Sequence, residues 1–301
     1  MRSLVLVAAL LAAVPDTASA QRSQRYELRV GARTRSAEVR VPRAPAAAGA
    51  MRPRVIVLHG GGGNAENAER MTGFTALVER EGIVVAYPNG SARRERRELL
   101  LTWNARHCCG PAMEREVDDV GFLRALIDTL VATQAVDPRR VFVTGMSNGG
   151  MMSHVAALRL GDKVAAIAPV VGTLFGDEPP PAAPVRAIIF NGMRDESVPF
   201  DGGTPGGVGR GAWRRDARPS LEQGVYWARA NGCGLEPQRD SVANVVTYRW
   251  PCPRGREVEL HAVVDGGHAW PGGRSGRRVG ADRVSSTPDA TAMMWAFFAR
   301  Q

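Results

Sequence analysis

The sequence predicts a doubly wound α/β fold, in which helices cover both faces of a mostly parallel sheet and an antiparallel hairpin precedes that sheet. Strand and helix patterns alternate from residue 54 onward, as expected for such a sheet. Residues 55–58 and 141–143 are nearly continuous apolar runs, which are typical of strands covered on both faces. The chain has 301 residues, 44% of them hydrophobic, which is enough for a full core. Because no repeat or linker interrupts the pattern, we predict one domain over residues 21–301.

The first twenty residues predict a secretory signal peptide. Arg2 is followed by an apolar run at 4–14 and then by small residues up to Ala20, the pattern of a cleavable signal over residues 1–20. The run is shorter than the ~20 residues that span a bilayer, and no later run is long enough. We therefore expect a secreted or periplasmic protein with no membrane partner.

The elements of the domain begin with the hairpin, whose strands alternate apolar and polar residues at 26–30 and 37–41 around a turn at 31–33. The other strands are predicted at 54–58, 83–87, 141–144, 164–168, 185–190 and 257–264, and the helices at 65–80, 116–134, 149–160, 219–230 and 288–299. The segment 201–219, rich in Gly, Arg and Pro, is predicted to cross the rim of the sheet.

The formal charge of +9 comes almost wholly from arginine, because Lys163 is the only lysine. One lysine without a glycine-rich loop before it excludes a P-loop and disfavours a Schiff-base site. Four arginines within residues 93–97 support an alternative function, a non-catalytic basic module that binds an acidic polymer or nucleic acid. Glu95 and Glu98 interrupt that run and no recognition motif accompanies it, so we favour a solvated surface and expect no nucleic-acid partner.

The pentapeptide Gly145-Met146-Ser147-Asn148-Gly149 lies between a predicted strand and a predicted helix. A serine between small residues at such a turn is the nucleophile elbow of α/β hydrolases, in which the hydroxyl stands exposed above the strand end. The next amide lies at a helix N-terminus, which favours an anion. Ser147 is therefore the candidate nucleophile, and the Asn148 amide is a candidate oxyanion-hole donor.

A serine nucleophile needs a base and an acid that orients the base. His268 lies in the loop after the last strong strand, where this fold places its base. Asp195 falls just past the strand at 185–190, with Glu196 and Asp201 as close competitors. The chain order of serine, acid and histidine is that of the α/β hydrolases, so we predict a Ser147–Asp195–His268 triad.

Residues 59–64 follow a strand and contain four consecutive glycines, which let backbone amides approach a developing oxyanion. We predict that the amide of Gly61 or Gly62 joins that of Asn148. The segment also fits a dinucleotide-binding fingerprint, but the second strand ends at residues 87–89 without the acidic residue that would bind a ribose. We therefore favour an oxyanion hole and expect no nucleotide.

Four cysteines in an exported chain are expected to form disulfides, and the residues alone leave three connectivities open. A bond between Cys233 and Cys252 would close a short loop, which leaves the adjacent Cys108 and Cys109 to pair with each other. Crossed pairing is the rival. No metal site is expected, because the cysteines and histidines lack zinc-site spacing.

Two tryptophans, Trp103 and Trp270, are predicted near the rim of the site, where aromatic rings would suit aryl or sugar-bearing substrates. Packing in the core is the alternative for both. Asp118 and Asp119 begin a helix, where carboxylates interact favourably with the helix dipole, so we interpret them first as structural residues and second as groups that could orient the site.

Several separate motifs extend over residues 50 to 300. They are L-H-G-G-G-G-N at 58–64, W-N at 103–104, C-C-G at 108–110, D-D-V-G-F-L at 118–123, D-P-R-R-V-F-V-T-G-M-S-N-G-G-M-M at 137–152, N-G-M-R-D-E-S-V-P-F at 191–200 and D-G-G-H-A-W-P-G at 265–272. At these residues the sequence resembles the extracellular polyhydroxybutyrate depolymerases, feruloyl esterases and acetylxylan esterases. It departs from them in the glycine that follows His-Gly and in the arginines at 93–97.

The resemblance implies an α/β-hydrolase fold with Ser147 as nucleophile, Asp195 as acid and His268 as base. It also implies a Cys233–Cys252 disulfide, hydrolysis of carboxylic esters without a cofactor, and an ester substrate that is either polymeric or small. Plant-wall phenolic esters, acetyl groups and aliphatic polyesters are all within the range of the family. We expect a monomer.

Overall fold

A computed structural model describes residues 21–93, 98–204, 206, 213–275 and 284–300. The predicted signal peptide at 1–20 lies outside the described residues, as do residues 94–97 of the arginine-rich segment. Within the described segment 201–204, the predicted rim crossing begins with a turn that Gly202 and Gly203 allow at φ values of 80° and 99°.

All ten strands of the described residues form one sheet in the order β1-β2-β4-β3-β5-β6-β7-β10-β9-β8. The strands are β1 Arg22–Val30, β2 Arg33–Val41, β3 Arg52–Leu58, β4 Val84–Pro88, β5 Val136–Met146, β6 Ala166–Val170, β7 Arg186–Gly192, β8 Gln238–Val242, β9 Val245–Arg249 and β10 Val258–Val263. The six strands from β4 to β10 in that order pair in parallel, and antiparallel pairs flank them on both sides. The predicted parallel sheet and N-terminal hairpin are confirmed; the β8–β9 hairpin was not predicted.

Seven α-helices are assigned within the described ranges. They are α1 Ala65–Thr72, α2 Leu77–Glu81, α3 Gly110–Glu114, α4 Asp119–Thr133, α5 Asn148–Leu160, α6 Ser220–Asn231 and α7 Ala290–Ala299. The helix predicted over 65–80 is interrupted, because Gly73 ends α1 in the left-handed conformation at φ 71° and a 3-10 turn follows at 74–76. A left-handed residue at this position is a common helix stop.

Two apolar cores cover the two faces of the sheet, which confirms the doubly wound arrangement. Along β3, Ile56 and Leu58 pack into the core beneath α4, α5 and α6, whereas Val55 and Val57 pack into the core beneath α1 and α7. This alternation follows from the two-residue period of a strand. Each side chain that is fully buried in this way contributes about 1.5–3 kcal/mol.

The carboxyl ends of β3, β5, β6, β7 and β10 share one edge of the sheet. The chain leaves β3 toward β4 on one side, while β5 lies on the other side of β3, so the strand order reverses here. Ligands in open α/β sheets bind outside the carboxyl ends at such a reversal. The glycine-rich segment follows β3, Ser147 follows β5, Asp195 follows β7 and His268 follows β10, so the predicted site residues share this edge.

Both cysteine pairs are local. Cys233, after α6, is bonded to Cys252, after β9, with an S–S distance of 2.06 Å. Because Cys233 and Cys252 bond to each other, the crossed connectivity is wrong, and Cys108 lies against its neighbour Cys109. None of the helices in the described ranges has the length and apolar character to cross a membrane. The outermost strands are β1 and β8, and every residue of β8 is exposed.

Candidate active site

Ser147 stands at a sharp turn between β5 and α5. Its backbone has φ 57° and ψ −122°, a strained conformation for a residue with a side chain, and its N–H donates to the carbonyl of Val170 at 2.8 Å. The flanking glycines make the turn possible. A Cβ on Gly145 would lie 2.6 Å from the backbone of Gly149, and one on Gly149 would lie 2.5 Å from the carbonyl oxygens of residues 58 and 59. The sequence therefore folds into the predicted elbow.

His268 and Asp195 meet although 73 residues separate them in the chain. His268 Nδ1 lies 2.8 Å from Asp195 Oδ2, and the Asp195 side chain is fully buried. Its other oxygen accepts hydrogen bonds from the backbone N–H groups of Ser197 and Val198, both at 2.8 Å. A carboxylate can only accept hydrogen bonds, so Nδ1 carries the proton and Nε2 presents its lone pair. The competitor Glu196 is exposed.

The two loops that carry this pair touch backbone to backbone. Met193 N–H donates to the carbonyl of Val263 at 2.9 Å, and Arg194 N–H donates to the carbonyl of Gly266 at 2.8 Å. A Cβ on Gly192 would lie only 2.4 Å from the Gly266 carbonyl oxygen. A glycine at 192 therefore allows the approach that brings the acid to the base.

The glycine-rich segment lies against the elbow. A Cβ on Gly60 would lie 3.6 Å from Ser147 Cβ, and one on Gly61 would lie 3.6 Å from Asn148 Cβ. The Gly62 N–H already donates to the Leu101 carbonyl at 2.7 Å, which leaves Gly61 as the candidate donor of this segment. Asn148 is the first residue of α5, so its amide has no acceptor within the helix.

His59 holds the glycine-rich segment in place through hydrogen bonds at both of its ring nitrogens. Its Nε2 accepts the Gly90 N–H at 2.9 Å, and its Nδ1 therefore donates to the Gly60 carbonyl at 2.8 Å. Burial of the whole ring lowers the pKa of His59 to about 4, so the imidazole is neutral. With both ring nitrogens engaged, His59 is a structural residue.

Trp103 and Trp270 are buried, with 0% and 1% of their surface exposed. The Trp103 indole donates to the His59 carbonyl at 2.9 Å, and the Trp270 indole donates to Thr291 Oγ1 at 3.0 Å. A side chain without accessible surface cannot contact a substrate. The prediction that these two residues bind substrate is therefore corrected: both pack in the core.

A buried ion pair that the sequence did not reveal lies behind the glycine-rich segment. Arg35 contacts Asp119 Oδ1 at 2.6 Å, and Asp119 Oδ2 accepts the Asn104 N–H at 2.8 Å. Burial raises the pKa of Asp119, although the charge of Arg35 opposes that rise. The neighbouring Asp118 is the helix cap, since it accepts the Gly121 N–H at 2.7 Å. The two adjacent aspartates thus differ in role, and only burial distinguishes them.

A second buried hydrogen-bond network, which the sequence did not predict, connects side chains of α5 and α6. Trp227 Nε1 donates to His154 Nδ1 at 3.0 Å, and His154 Nε2 therefore donates to Gln223 Oε1 at 2.9 Å. The Gln223 amide in turn donates to Asn191 Oδ1 at 3.3 Å, near the end of β7. Burial lowers the pKa of His154 to about 4. The signal for this network was a histidine inside the helix after the elbow.

Residues 39–200 match the family described as Esterase PHB depolymerase. The chain is 34% identical over 284 residues to the "Putative esterase NocK" of Nocardia uniformis subsp. tsuyamanensis, which covers 87% of this chain and 79% of that protein. It is 30% identical over 230 residues to "Feruloyl esterase B" of Piromyces equi, covering 74% of this chain. The match spans only 41% of that esterase.

Two further similarities concern a polyester-degrading enzyme and the fold. The "Poly(3-hydroxyalkanoate) depolymerase C" of Paucimonas lemoignei is 28% identical over 120 residues, 40% of this chain and 28% of that protein. The structure of an acetyl xylan esterase from Aspergillus awamori superposes with a TM-score of 0.60 at 16% identity, covering 92% of this chain and 100% of the other. This likeness confirms the predicted α/β-hydrolase fold.

Proposed function

The chain belongs to the Esterase PHB depolymerase family, and from that membership we propose that it is a secreted serine esterase that hydrolyses carboxylic esters. The observation that carries the proposal is the 2.8 Å contact between His268 Nδ1 and the buried Asp195, at the sheet edge where the Ser147 elbow also lies. A neutral imidazole oriented by a carboxylate is the base that a serine nucleophile requires.

The proposed reaction proceeds through an acyl-enzyme. Ser147 attacks the ester carbonyl carbon while His268 Nε2 takes the hydroxyl proton, and Asp195 stabilises the resulting imidazolium. The N–H groups of Gly61 and Asn148 donate to the oxyanion of the tetrahedral intermediate. The imidazolium then protonates the leaving alcohol. Water, activated by His268, releases the acid in a second addition and elimination, so the cycle needs no cofactor.

The acyl group is proposed to be either a hydroxyalkanoate of an aliphatic polyester or a feruloyl or acetyl group on a plant polysaccharide. Relatives named for feruloyl esters and for poly(3-hydroxyalkanoate) support these two classes. Release of ferulate, acetate and 3-hydroxybutyrate from matched esters, measured side by side, identifies the preferred class.

The proposal includes export, with residues 1–20 as a signal peptide and residues 21–301 as one domain. The Cys233–Cys252 disulfide supports an oxidising compartment. Mass spectrometry of the protein from the culture medium or periplasm tests the cleavage after Ala20, because a mature chain that retains the first twenty residues contradicts it.

The decisive experiment compares Ser147 with Ser153, which lies six residues further along the chain in α5. Ser147→Ala should abolish hydrolysis of an acyl nitrophenyl ester while the circular dichroism spectrum stays unchanged. Ser153→Ala is the matched control, because this buried serine in α5 donates only to the Gly149 carbonyl. Hydrolysis that survives Ser147→Ala contradicts the proposal. Salt-sensitive retention of the Ser147→Ala variant on DNA would instead support the basic binding module.

A further inference from the structure

The side chain of Asn148 is held from both of its polar atoms by one residue. Asn148 Oδ1 accepts the main-chain N–H of Trp103 at 2.7 Å, and Asn148 Nδ2 donates to the main-chain carbonyl of Trp103 at 3.0 Å. Asn148 is 1% exposed, so water does not compete for these contacts. The first residue of α5 is thereby fixed to the segment that contains Trp103.

The same segment also holds the glycine-rich loop. Trp103 Nε1 donates to the His59 carbonyl at 2.9 Å, and the indole lies 4.9 Å from the His59 ring, centroid to centroid. Two residues earlier, Leu101 accepts the Gly62 N–H at 2.7 Å and donates to the Gly63 carbonyl at 3.2 Å. Trp103 therefore links the two pieces of backbone that carry the candidate oxyanion donors.

We propose that Trp103 is a positioning residue that sets the separation between the N–H groups of Gly61 and Asn148. The inference rests on the proposed esterase function. A main-chain donor points only where its backbone is held, and an oxyanion is stabilised only where its donors are already aimed at its position. Trp103 supplies that constraint to both donors at once, through its main chain on one and its indole on the other.

The first test is Trp103→Phe, which keeps an aromatic ring and removes the indole N–H. We expect kcat on a nitrophenyl ester to fall about tenfold with KM within twofold, because the oxyanion contacts exist mainly in the transition state. Trp250→Phe is the matched control. Trp250 is 5% exposed and its indole donates to the Leu235 carbonyl at 3.2 Å, near the opposite edge of the sheet, so its kcat should not change.

Asn148→Ala tests the link from its other end and serves if Trp103→Phe does not fold. The variant removes the side-chain amide but keeps the main-chain N–H that would meet the oxyanion. We expect a similar fall in kcat. Because both substitutions break the same link, the double variant should lose less than the product of the two factors.

An inhibitor supplies a readout that does not depend on turnover. A boronic acid that forms a tetrahedral adduct with the serine should bind Trp103→Phe more weakly, by about the factor lost in kcat. A loss confined to KM, or equal kcat values for Trp103→Phe and Trp250→Phe, overturns the inference. Failure of the proposed function itself is distinguishable, because it would show as hydrolysis that persists in the Ser147→Ala variant.

Discussion

The two sides of the candidate site are built by different means. The oxyanion side, residues 59–64, 89–91 and 101–104 with the start of α4, is braced by buried polar side chains. The acid–base side, residues 192–200 and 263–268, is held by contacts between backbones, with Asp195 as its central buried carboxylate.

This difference follows from which groups each side must aim. On the oxyanion side the proposed reactive groups are main-chain amides, so side chains such as His59 and Trp103 must orient them from outside. On the acid–base side the reactive groups are themselves side chains. Backbone amides of Ser197 and Val198 fix the carboxylate, and Gly192 lets the two loops approach. Loss of one supporting side chain on the oxyanion side should therefore lower kcat only moderately. Loss of Asp195 on the acid–base side should nearly abolish activity.

The largest expected effect is that of Asp195→Asn. The amide no longer holds His268 in the tautomer that accepts the serine proton, and kcat should fall by about 10⁴-fold. Glu196→Gln is the control, because this neighbouring carboxyl group is exposed and should leave kcat unchanged. Steady-state kinetics on a soluble ester measure both variants. A fall no larger than that of Trp103→Phe would remove the proposed difference between the two sides.

The next effect should appear in stability, on the oxyanion side. Asp119→Asn leaves the Arg35 guanidinium buried without its counter-charge, which costs about 3 kcal/mol or more. Asp118→Asn is matched to it, since asparagine caps a helix as well as aspartate, and should change the free energy of unfolding by less than about 0.5 kcal/mol. Urea unfolding measures both. Equal losses for the two variants would show that the buried pair has no special weight.

A third effect comes from two buried histidines, one in the glycine-rich segment and one in α5. His59 and His154 each have a pKa lowered to about 4 by burial, against about 6.5 in an unfolded chain. The unfolded chain therefore binds protons that the folded protein rejects. The contribution of each histidine to the free energy of unfolding is fully present above pH 6.5. It is lost as the pH falls toward 4, by up to about 3 kcal/mol for each histidine.

Urea unfolding at pH 7 and pH 4.5 measures this loss. His154→Phe should be less stable than wild type at pH 7, because Trp227 loses its hydrogen-bond acceptor, yet its stability should depend less on pH over that interval. An unchanged pH dependence in the variant would contradict the lowered pKa of His154.

The sequence predicted the elements whose patterns are local. The hairpin, the parallel strands and the elbow follow from alternation, apolar runs and flanking glycines, and they occur where predicted. The β8–β9 hairpin was not predicted, because its outer strand, Gln238–Val242, is exposed throughout and carries no apolar–polar alternation. The split of the helix at 65–80 required the left-handed Gly73, which a pattern of apolar spacing does not register.

Burial is what the sequence could not supply for the site. Trp103 and Trp270 are of a residue type that often contacts substrates. Only the packing of distant segments shows that neither side chain is accessible. Asp119 forms its ion pair with Arg35, which lies 84 positions away in the chain, so no local motif predicts the pair. The choice between Gly61 and Gly62 likewise depended on Leu101, which accepts the Gly62 amide.

The charged outer strands have a consequence for behaviour at high concentration. An open sheet ends in unpaired backbone groups that can recruit a strand from another molecule and start aggregation. Here β1 carries Arg22, Arg25 and Arg29, and β8 carries Arg239 and Asp240, so a second sheet would have to bring charges together and strip them of water. We therefore expect these charged outer strands to disfavour edge-to-edge association between neighbouring molecules.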